Sequence, residues 1–195
     1  MSQDMVLVNQ DRYLAKKKIF SMFGNKFYVF DTQENLCFFV HQKAFKLKEA
    51  ITVYRDEGKQ HPVMTIQARS IMDFSGTYDV TDVQTGQVVG ALKRQGLKSM
   101  LRDEWHMFDA NGTQIGTVME DSMALAMIRR FLSNLVPQGF TVTVNGQEAA
   151  TFQQNFNPFV AKYDIDLSRA EQCGLDKRLA VASVVLLLAI EGKQQ

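Results

Sequence analysis

The chain is dominated by short segments in which apolar and polar residues alternate, the pattern of β-strands that have one buried face. Phe140–Val144 is the clearest of these segments, because its three apolar residues alternate with two threonines. Asn145 and Gly146 follow it, and both tolerate the positive φ angles of a two-residue type I′ hairpin turn. Gln147–Phe152 is therefore predicted to return as the next strand.

The same turn chemistry predicts two further hairpins, at Thr85-Gly86 and at Asp109–Gly112. In all, about twelve short strands are predicted at a spacing of roughly 8–12 residues, which is typical of an all-β sandwich or barrel. They are Arg12–Phe20, Lys26–Asp31, Leu36–His41, Phe45–Tyr54, Pro62–Ala68, Thr77–Val83, Gln87–Lys93, Glu104–Phe108, Gln114–Met119, Phe140–Val144, Gln147–Phe152 and Phe159–Ile165.

Two segments have a helical pattern. In Ser122–Val136, large apolar residues recur at helical spacing, which predicts an amphipathic helix inserted between strands. Leu179–Ile190 is apolar on all sides except at Ser183, whose hydroxyl is expected to bond back to a carbonyl of its own helix. Asp176 and Gly192 supply start and stop signals for this second helix.

The C-terminal apolar segment is too short to span a membrane, because it reaches only about 18 Å against a hydrocarbon core of about 30 Å. A helix that is apolar all round must still be shielded from water. A closed barrel of about twelve strands is too wide for side chains alone to fill. We therefore predict a mainly β fold: a closed antiparallel barrel of about twelve strands around a buried hydrophobic C-terminal helix, with one inserted amphipathic helix.

Length and composition favour one globular domain. The chain has 195 residues, of which 46% are hydrophobic and 22% charged, so it resembles neither a disordered nor a fibrous protein. We expect residues 1–11 to be an N-terminal extension and residues 12–192 to form a single barrel domain. The net charge of +1 lacks the basic excess of a dedicated nucleic-acid-binding protein. Any anion-binding site must therefore be a local patch.

The cysteine count and the N-terminus both bear on localisation. Two cysteines are too few for a disulfide framework, which favours a reducing compartment. The N-terminus has neither the basic region nor the apolar core of a signal peptide. We therefore expect a cytoplasmic protein, either free in the cytosol or attached peripherally to a membrane.

No motif for catalysis, for a metal or for a cofactor occurs in the sequence. Cys37 and His41 share one face of a predicted strand, but four residues of extended chain separate them by about 13 Å. We interpret both of them, and likewise His61, His106 and Cys173, as ordinary core or surface residues. No catalytic residue, metal or cofactor is therefore predicted.

The best candidate for a binding surface is basic. Three apolar residues, Leu97, Met100 and Leu101, lie among its charges, so that a connection between strands could touch a membrane while the charges meet anionic headgroups. The alternative is a solvated hairpin whose apolar residues pack on the barrel. The four candidate headgroup-binding residues are Lys93, Arg94, Lys98 and Arg102.

Two secondary basic patches are also candidates. Lys16 and Lys18 form the first, because strand alternation sends Lys17 to the opposite face. Arg129 and Arg130 on the inserted helix form the second, and the polar face of a packed helix is the alternative explanation for this pair.

Three longer segments combine the strand, turn and helix signals. Lys18–Asp31 follows a lysine-rich first strand, Trp105–Glu120 is a hairpin that ends in an acidic residue, and Asp176–Ile190 is the apolar helix. From about Tyr13 to Gly192, the chain resembles the LURP-one-related family, which shares a barrel superfamily with the phospholipid scramblases and the Tubby C-terminal domain. The resemblance implies a twelve-stranded barrel wrapped around a C-terminal helix.

The resemblance also implies a function. Tubby-like domains bind phosphoinositides through basic side chains on the barrel exterior, so we expect a non-enzymatic cytoplasmic binding or regulatory module that recognises anionic phospholipid or phosphoinositide headgroups. Two alternatives stay open: a scramblase-like protein that moves phospholipids, and a scaffold for a protein partner. A nucleic-acid partner is not expected, because the aromatic residues lie in core-like alternation rather than among basic clusters.

Overall fold

The computed structural model describes residues 8, 10–18, 25–42, 50–70, 76–95, 104–121, 138–155 and 160–191. Within these ranges the chain forms twelve β-strands and one α-helix, α1, at Lys177–Glu191. The strands, β1 to β12 in chain order, are Arg12–Lys18, Asn25–Phe30, Leu36–Gln42, Ile51–Tyr54, Pro62–Ala68, Thr77–Asp82, Val88–Arg94, Glu104–Asp109, Gln114–Glu120, Gly139–Val144, Gln147–Asn155 and Val160–Asp166.

The twelve strands form one closed antiparallel barrel. Each strand pairs with the strands before and after it in sequence, and β1 closes the barrel by pairing with β12, in a register that runs from Arg12 opposite Asp166 to Lys18 opposite Val160. Helix α1 starts at the barrel end where β1 begins and β12 finishes. We call this end the N-end and the opposite end the C-end.

The helix fills the barrel. Every residue of Leu179–Ala189 is buried, and fully buried phenylalanines of β2, β3, β10 and β11 contribute to the same core. The Ser183 hydroxyl donates a hydrogen bond to the Ala180 carbonyl at 2.6 Å, so its polar group is satisfied inside the core. The predicted barrel, its buried helix and the Ser183 bond are confirmed.

The predicted strands agree closely with the observed ones. A strand lies at each of the twelve predicted positions, with bounds that differ by a few residues wherever the chain is described. Asn145 and Gly146 have φ angles of 50° and 78°, as a type I′ hairpin requires. The first part of the predicted strand Phe45–Tyr54 and the whole predicted helix Ser122–Val136 lie outside the described residues.

Aspartates organise the turns of the N-end. In each case a side-chain oxygen of the aspartate accepts hydrogen bonds from backbone N–H groups two to five residues later, which fixes the turn locally. This device recurs at Asp31, Asp56, Asp82, Asp109 and Asp166.

Charged side chains hold the start of α1 at the N-end. Asp176 caps the helix by accepting a hydrogen bond from the backbone N–H of Arg178 at 2.8 Å. The Arg178 guanidinium also reaches Asp82 at the end of β6, at 2.8 Å. Lys177 is only 7% exposed and forms ion pairs with Asp11 and Glu171, each at 3.0 Å.

A lysine of β1 contacts the other end of the helix. Lys17 points into the barrel, where it is buried, and its Nζ donates a hydrogen bond to the Leu188 carbonyl at 2.8 Å. A cation at a helix C-terminus satisfies a free carbonyl and complements the helix dipole. Strand alternation predicts that Lys17 faces away from Lys16 and Lys18. The contact with Leu188 gives this inward side chain a physical role.

Candidate functional site

The outer face of β1 and β12 changes character along its length. Near the N-end, Arg12 lies directly across from Asp166, and their charged groups are 3.3 Å apart. Further along β1, Lys16 lies directly across from Lys162. Like charges that face each other on antiparallel strands destabilise a sheet. The C-end half of this strand pair therefore carries a local excess of positive charge.

The excess continues onto β2, β3 and the turn between β4 and β5. Lys26 lies across from His41 on the outer face, and it is a diagonal neighbour of Lys16, which pairs with Tyr28. From the turn, Lys59 places its Nζ 2.7 Å from Nδ1 of His41. We call these five residues the basic stripe: Lys16, Lys26, His41, Lys59 and Lys162.

Nearby carboxylates leave the stripe positive. In the part of the chain that the structure describes, the three strand lysines of the stripe form no ion pair. Glu57 accepts a hydrogen bond from the Tyr28 hydroxyl at 3.2 Å, and Asp164 accepts one from the Asn155 amide at 2.6 Å. Among the described residues, these two carboxylates bond to neutral donors and form no ion pair with the strand lysines of the stripe.

Aromatic rings flank the stripe on β2 and β3. The Lys16 ammonium lies 4.5 Å from the centroid of the Phe30 ring, in a cation–π contact. Phe30 stacks on Tyr28 at 6.2 Å, and Tyr28 packs on the buried Phe39 at 5.2 Å. Burial and the neighbouring Glu57 raise the pKa of Tyr28, so its hydroxyl remains a hydrogen-bond donor near neutral pH.

The structure separates two of the predicted headgroup-binding residues. Lys93 and Arg94 are consecutive on β7 and point to opposite faces of the barrel. Lys93 lies across from His106 on the outer face, whereas Arg94 lies across from the buried Trp105. The other predicted residues of the primary patch and the inserted helix lie outside the described residues, and their roles stay predictions: Lys98, Arg102, Arg129 and Arg130.

Sequence reasoning identified one member of the stripe, Lys16, and missed the other four. Lys26 could have been found, because a hairpin of β1 with β2 places it on the same face as Lys16. Lys162 could not, because its position depends on the closure of β1 onto β12. Lys18 ends β1 close to the stripe, and its side chain lies outside what the structure describes.

The chemistry of the stripe is that of anion binding. Lysine ammonium groups on an open face attract anions and donate hydrogen bonds to them. Among the described residues, no group of three His, Cys, Asp or Glu side chains could hold a metal ion. Burial raises the pKa of the Cys37 thiol to about 11, so this thiol is protonated near neutral pH and is a poor nucleophile.

The structure is of the class of closed antiparallel barrels that enclose an apolar helix, with a local basic stripe on the outer face. The chain matches the model of the LURP-one-related family over residues 36–188, and it belongs to this family. The resemblance seen in the sequence is therefore confirmed. The family and the barrel together fit a non-enzymatic binding or regulatory module.

Comparison with solved structures supports the fold. The chain is similar to a protein from Arabidopsis thaliana whose structure was determined by X-ray crystallography, with a TM-score of 0.52, 13% sequence identity and 93% of each chain covered. At this identity the likeness concerns the fold alone. No curated protein matches the chain. Within the described residues, no helix combines the length and the apolar character needed to cross a bilayer.

Proposed function

We propose that this protein recognises anionic phospholipid headgroups at a membrane surface through the basic stripe. The observation that carries the proposal is the pair Lys16 and Lys162, which face each other on neighbouring strands without an ion-pair partner among the described residues. An anionic headgroup between the two ammonium groups would relieve their repulsion and accept a charge-assisted hydrogen bond from each. A feature that destabilises the free barrel thereby contributes to affinity.

The size of the stripe predicts moderate, salt-dependent binding. One lysine near an acidic membrane contributes about 1 kcal/mol, so the four lysines of the stripe would contribute about 4 kcal/mol. Charges on an open face are screened beyond about 8 Å at physiological ionic strength. Binding should therefore weaken as the salt concentration rises.

Lys93, Lys98 and Arg102 are proposed as a second, separate contact, from which Arg94 is excluded because it lies across from the buried Trp105. Strand β7 ends, and β8 begins, at the C-end of the barrel, the half on which the strand lysines of the stripe lie. Transport of lipids is less well supported than binding, because it would require α1 to leave the core in which Lys17 and Lys177 hold its two ends.

Cosedimentation with vesicles tests the proposal. The full chain is mixed with phosphatidylcholine vesicles that contain either no phosphatidylglycerol or a substantial fraction of it, at low and at physiological salt. We expect binding to the acidic vesicles only, and weaker binding at the higher salt. The triple variant Lys16→Gln, Lys26→Gln, Lys162→Gln should bind at least about tenfold more weakly.

A matched control separates the stripe from net charge. The triple variant Arg12→Gln, Arg69→Gln, Arg169→Gln removes the same number of positive charges from side chains that are already ion-paired. It should bind nearly as well as the wild type. Equal losses in both variants would show that only net charge matters. Unchanged binding of the stripe variant would remove the stripe as the site and direct attention to Lys93, Lys98 and Arg102, or to a protein partner.

A further inference from the structure

We propose that Lys16, Lys162 and Asp164 together select a phospholipid headgroup that carries an ammonium group beside its phosphate, so that phosphatidylserine binds more tightly than phosphatidylglycerol of the same net charge. This inference rests on the proposed function and adds a specificity to it. The phosphate would lie between the two lysines, and the ammonium group would bind the Asp164 carboxylate.

Asp164 is an exposed carboxylate close to the lysine pair. It comes two residues after Lys162 on β12, so the two side chains share the outer face and start about 7 Å apart along the strand. It is also a diagonal neighbour of Lys16, because it lies directly across from Leu14 on β1. A ligand bound between the two lysines therefore lies beside this carboxylate.

Asp164 forms no ion pair within the ranges that the structure describes. The residues directly across from it, Leu14 on β1 and Gln153 on β11, are both uncharged. Asp166, two residues later on the same face, is instead paired with Arg12. Strand β12 thus carries one carboxylate with a cationic partner and one without, and the one without is next to the lysine pair.

Asn155 holds the Asp164 carboxylate in place. It lies directly across from Lys162, and its side-chain amide donates a hydrogen bond to Oδ2 of Asp164 at 2.6 Å. In the described part of the chain, Oδ1 of Asp164 accepts no hydrogen bond. An ammonium group can only donate hydrogen bonds, so this oxygen is a suitable acceptor for it. Asn155 is therefore a positioning residue for the headgroup site.

The arrangement of charges within the headgroup distinguishes the two lipids, although their net charge is the same. Asp164 repels the phosphate of either lipid. Only the ammonium group of phosphatidylserine compensates for this repulsion, through a charge-assisted hydrogen bond to the carboxylate. The carboxylate of the serine headgroup can be met by Lys26, a diagonal neighbour of Lys16. Because exposed ion pairs contribute little free energy, we expect a preference of about threefold.

Cosedimentation of the full chain with two kinds of vesicle tests the proposal. Both contain phosphatidylcholine and the same fraction of either phosphatidylserine or phosphatidylglycerol, at one pH and one ionic strength. The wild type should bind the phosphatidylserine vesicles about threefold more tightly. Asp164→Asn should bind phosphatidylglycerol more tightly, because a repulsion is removed. It should not gain affinity for phosphatidylserine, because the ammonium group loses its partner, and the preference should disappear.

Glu148→Gln is the matched control, because it removes one negative charge from the neighbouring strand β11 at a side chain that pairs with Arg169 at 3.5 Å. This variant should keep the preference. Equal wild-type binding to the two lipids, a preference for phosphatidylglycerol, a preference that persists in Asp164→Asn, or one that is lost in Glu148→Gln would each overturn the inference. An absence of binding to both acidic vesicles would instead overturn the proposed function itself, so the two failures are distinguishable.

Discussion

The two halves of the strand pair β1 and β12 differ in how their charged side chains are paired. At the N-end, cations are matched with carboxylates: Arg12 with Asp166, Lys177 with Asp11 and Glu171, and Arg178 with Asp82 and Asp176. Towards the C-end, Lys16 faces Lys162 on the same two strands. Fold stability explains the first arrangement, but it gives no reason for the second. Under the proposed function, the lysine pair marks the place where an anionic partner would bind.

Arg178 is the position where a substitution should have the largest effect. Replacing Arg178 with Met would leave Asp82, whose side chain is only 15% exposed, without its cationic partner at 2.8 Å. Loss of one partner of a largely buried, charge-assisted hydrogen bond costs about 2 kcal/mol. Urea denaturation should show a lower midpoint with an unchanged slope. The control Lys16→Met should change stability by less than about 0.5 kcal/mol, and equal losses in the two variants would contradict the contrast between the halves.

Two neighbouring lysines of β1 provide a sharper comparison. Lys17 is buried and bonds to the Leu188 carbonyl, whereas Lys16 points outwards. Lys17→Met keeps the apolar stem but removes the donor at the helix C-terminus, so it should destabilise the fold by about 1 kcal/mol. Lys16→Met should weaken vesicle binding instead. Denaturation and cosedimentation of both variants check this division, which fails if Lys17→Met is as stable as Lys16→Met.

Acid should destabilise the N-end, because the pKa values of several of its aspartates are lowered in the folded chain. Hydrogen bonds, first from the Asn35 side chain, lower the pKa of Asp31. In Asp82, burial raises the pKa, but hydrogen bonds from Thr85 and Arg178 outweigh it, so the net pKa is lowered. The pKa of Asp166 is lowered in the same way, because hydrogen bonds from Ser168 and from Arg12 outweigh the effect of burial.

The sign of the resulting pH dependence follows from these lowered pKa values. Each carboxylate binds protons less readily when the chain is folded, so it stabilises the fold above about pH 4 and loses that contribution as the pH falls through its folded pKa. The melting temperature should fall by about 5 °C between pH 5 and pH 3. Thermal denaturation followed by circular dichroism measures this, and Asp31→Asn should flatten part of the dependence. A melting temperature that stays constant over this interval would be evidence against the role of the aspartate turns.

The smallest expected effect on stability comes from copying the N-end arrangement onto the stripe. Lys162→Glu places a carboxylate across from Lys16, as Asp166 stands across from Arg12. Opposite charges on facing strands stabilise by about 0.5 kcal/mol, and a repulsion is removed as well. We expect a slightly higher urea midpoint and weaker binding to acidic vesicles. A variant that gains stability and still binds like the wild type would separate the lysine pair from function.

The sequence was a good guide to the fold because the fold depends on local signals. Alternation marks strands, Asn145-Gly146 and the aspartates mark turns, and an all-round apolar segment of this length has few stable environments other than the interior of a wide barrel. These signals need no knowledge of which distant strands meet. All twelve strand positions and the buried helix followed from them.

The candidate site depends on register, which is not local. Its members come from β1, β2, β3, β12 and one turn, and even the two closest in sequence, Lys16 and Lys26, are ten residues apart. The sequence predicted a basic patch of Lys93, Arg94, Lys98 and Arg102 because these residues are close in sequence. In the structure, Lys93 and Arg94 face opposite sides of one strand. His41 was interpreted as an ordinary residue because its contact with Lys59 depends on how a turn lies against β3.

The order of the elements along the chain has a consequence for biosynthesis. Neighbouring strands of the barrel are neighbours in sequence, so hairpins can pair as they leave the ribosome. The helix that supplies the centre of the core follows all twelve strands. Until it emerges, the apolar inner face of the described strands lacks the helix that covers it, a state prone to aggregation. The barrel can therefore be completed only after all twelve strands have been made. Insertion of α1 is the last step in the folding of the newly made chain.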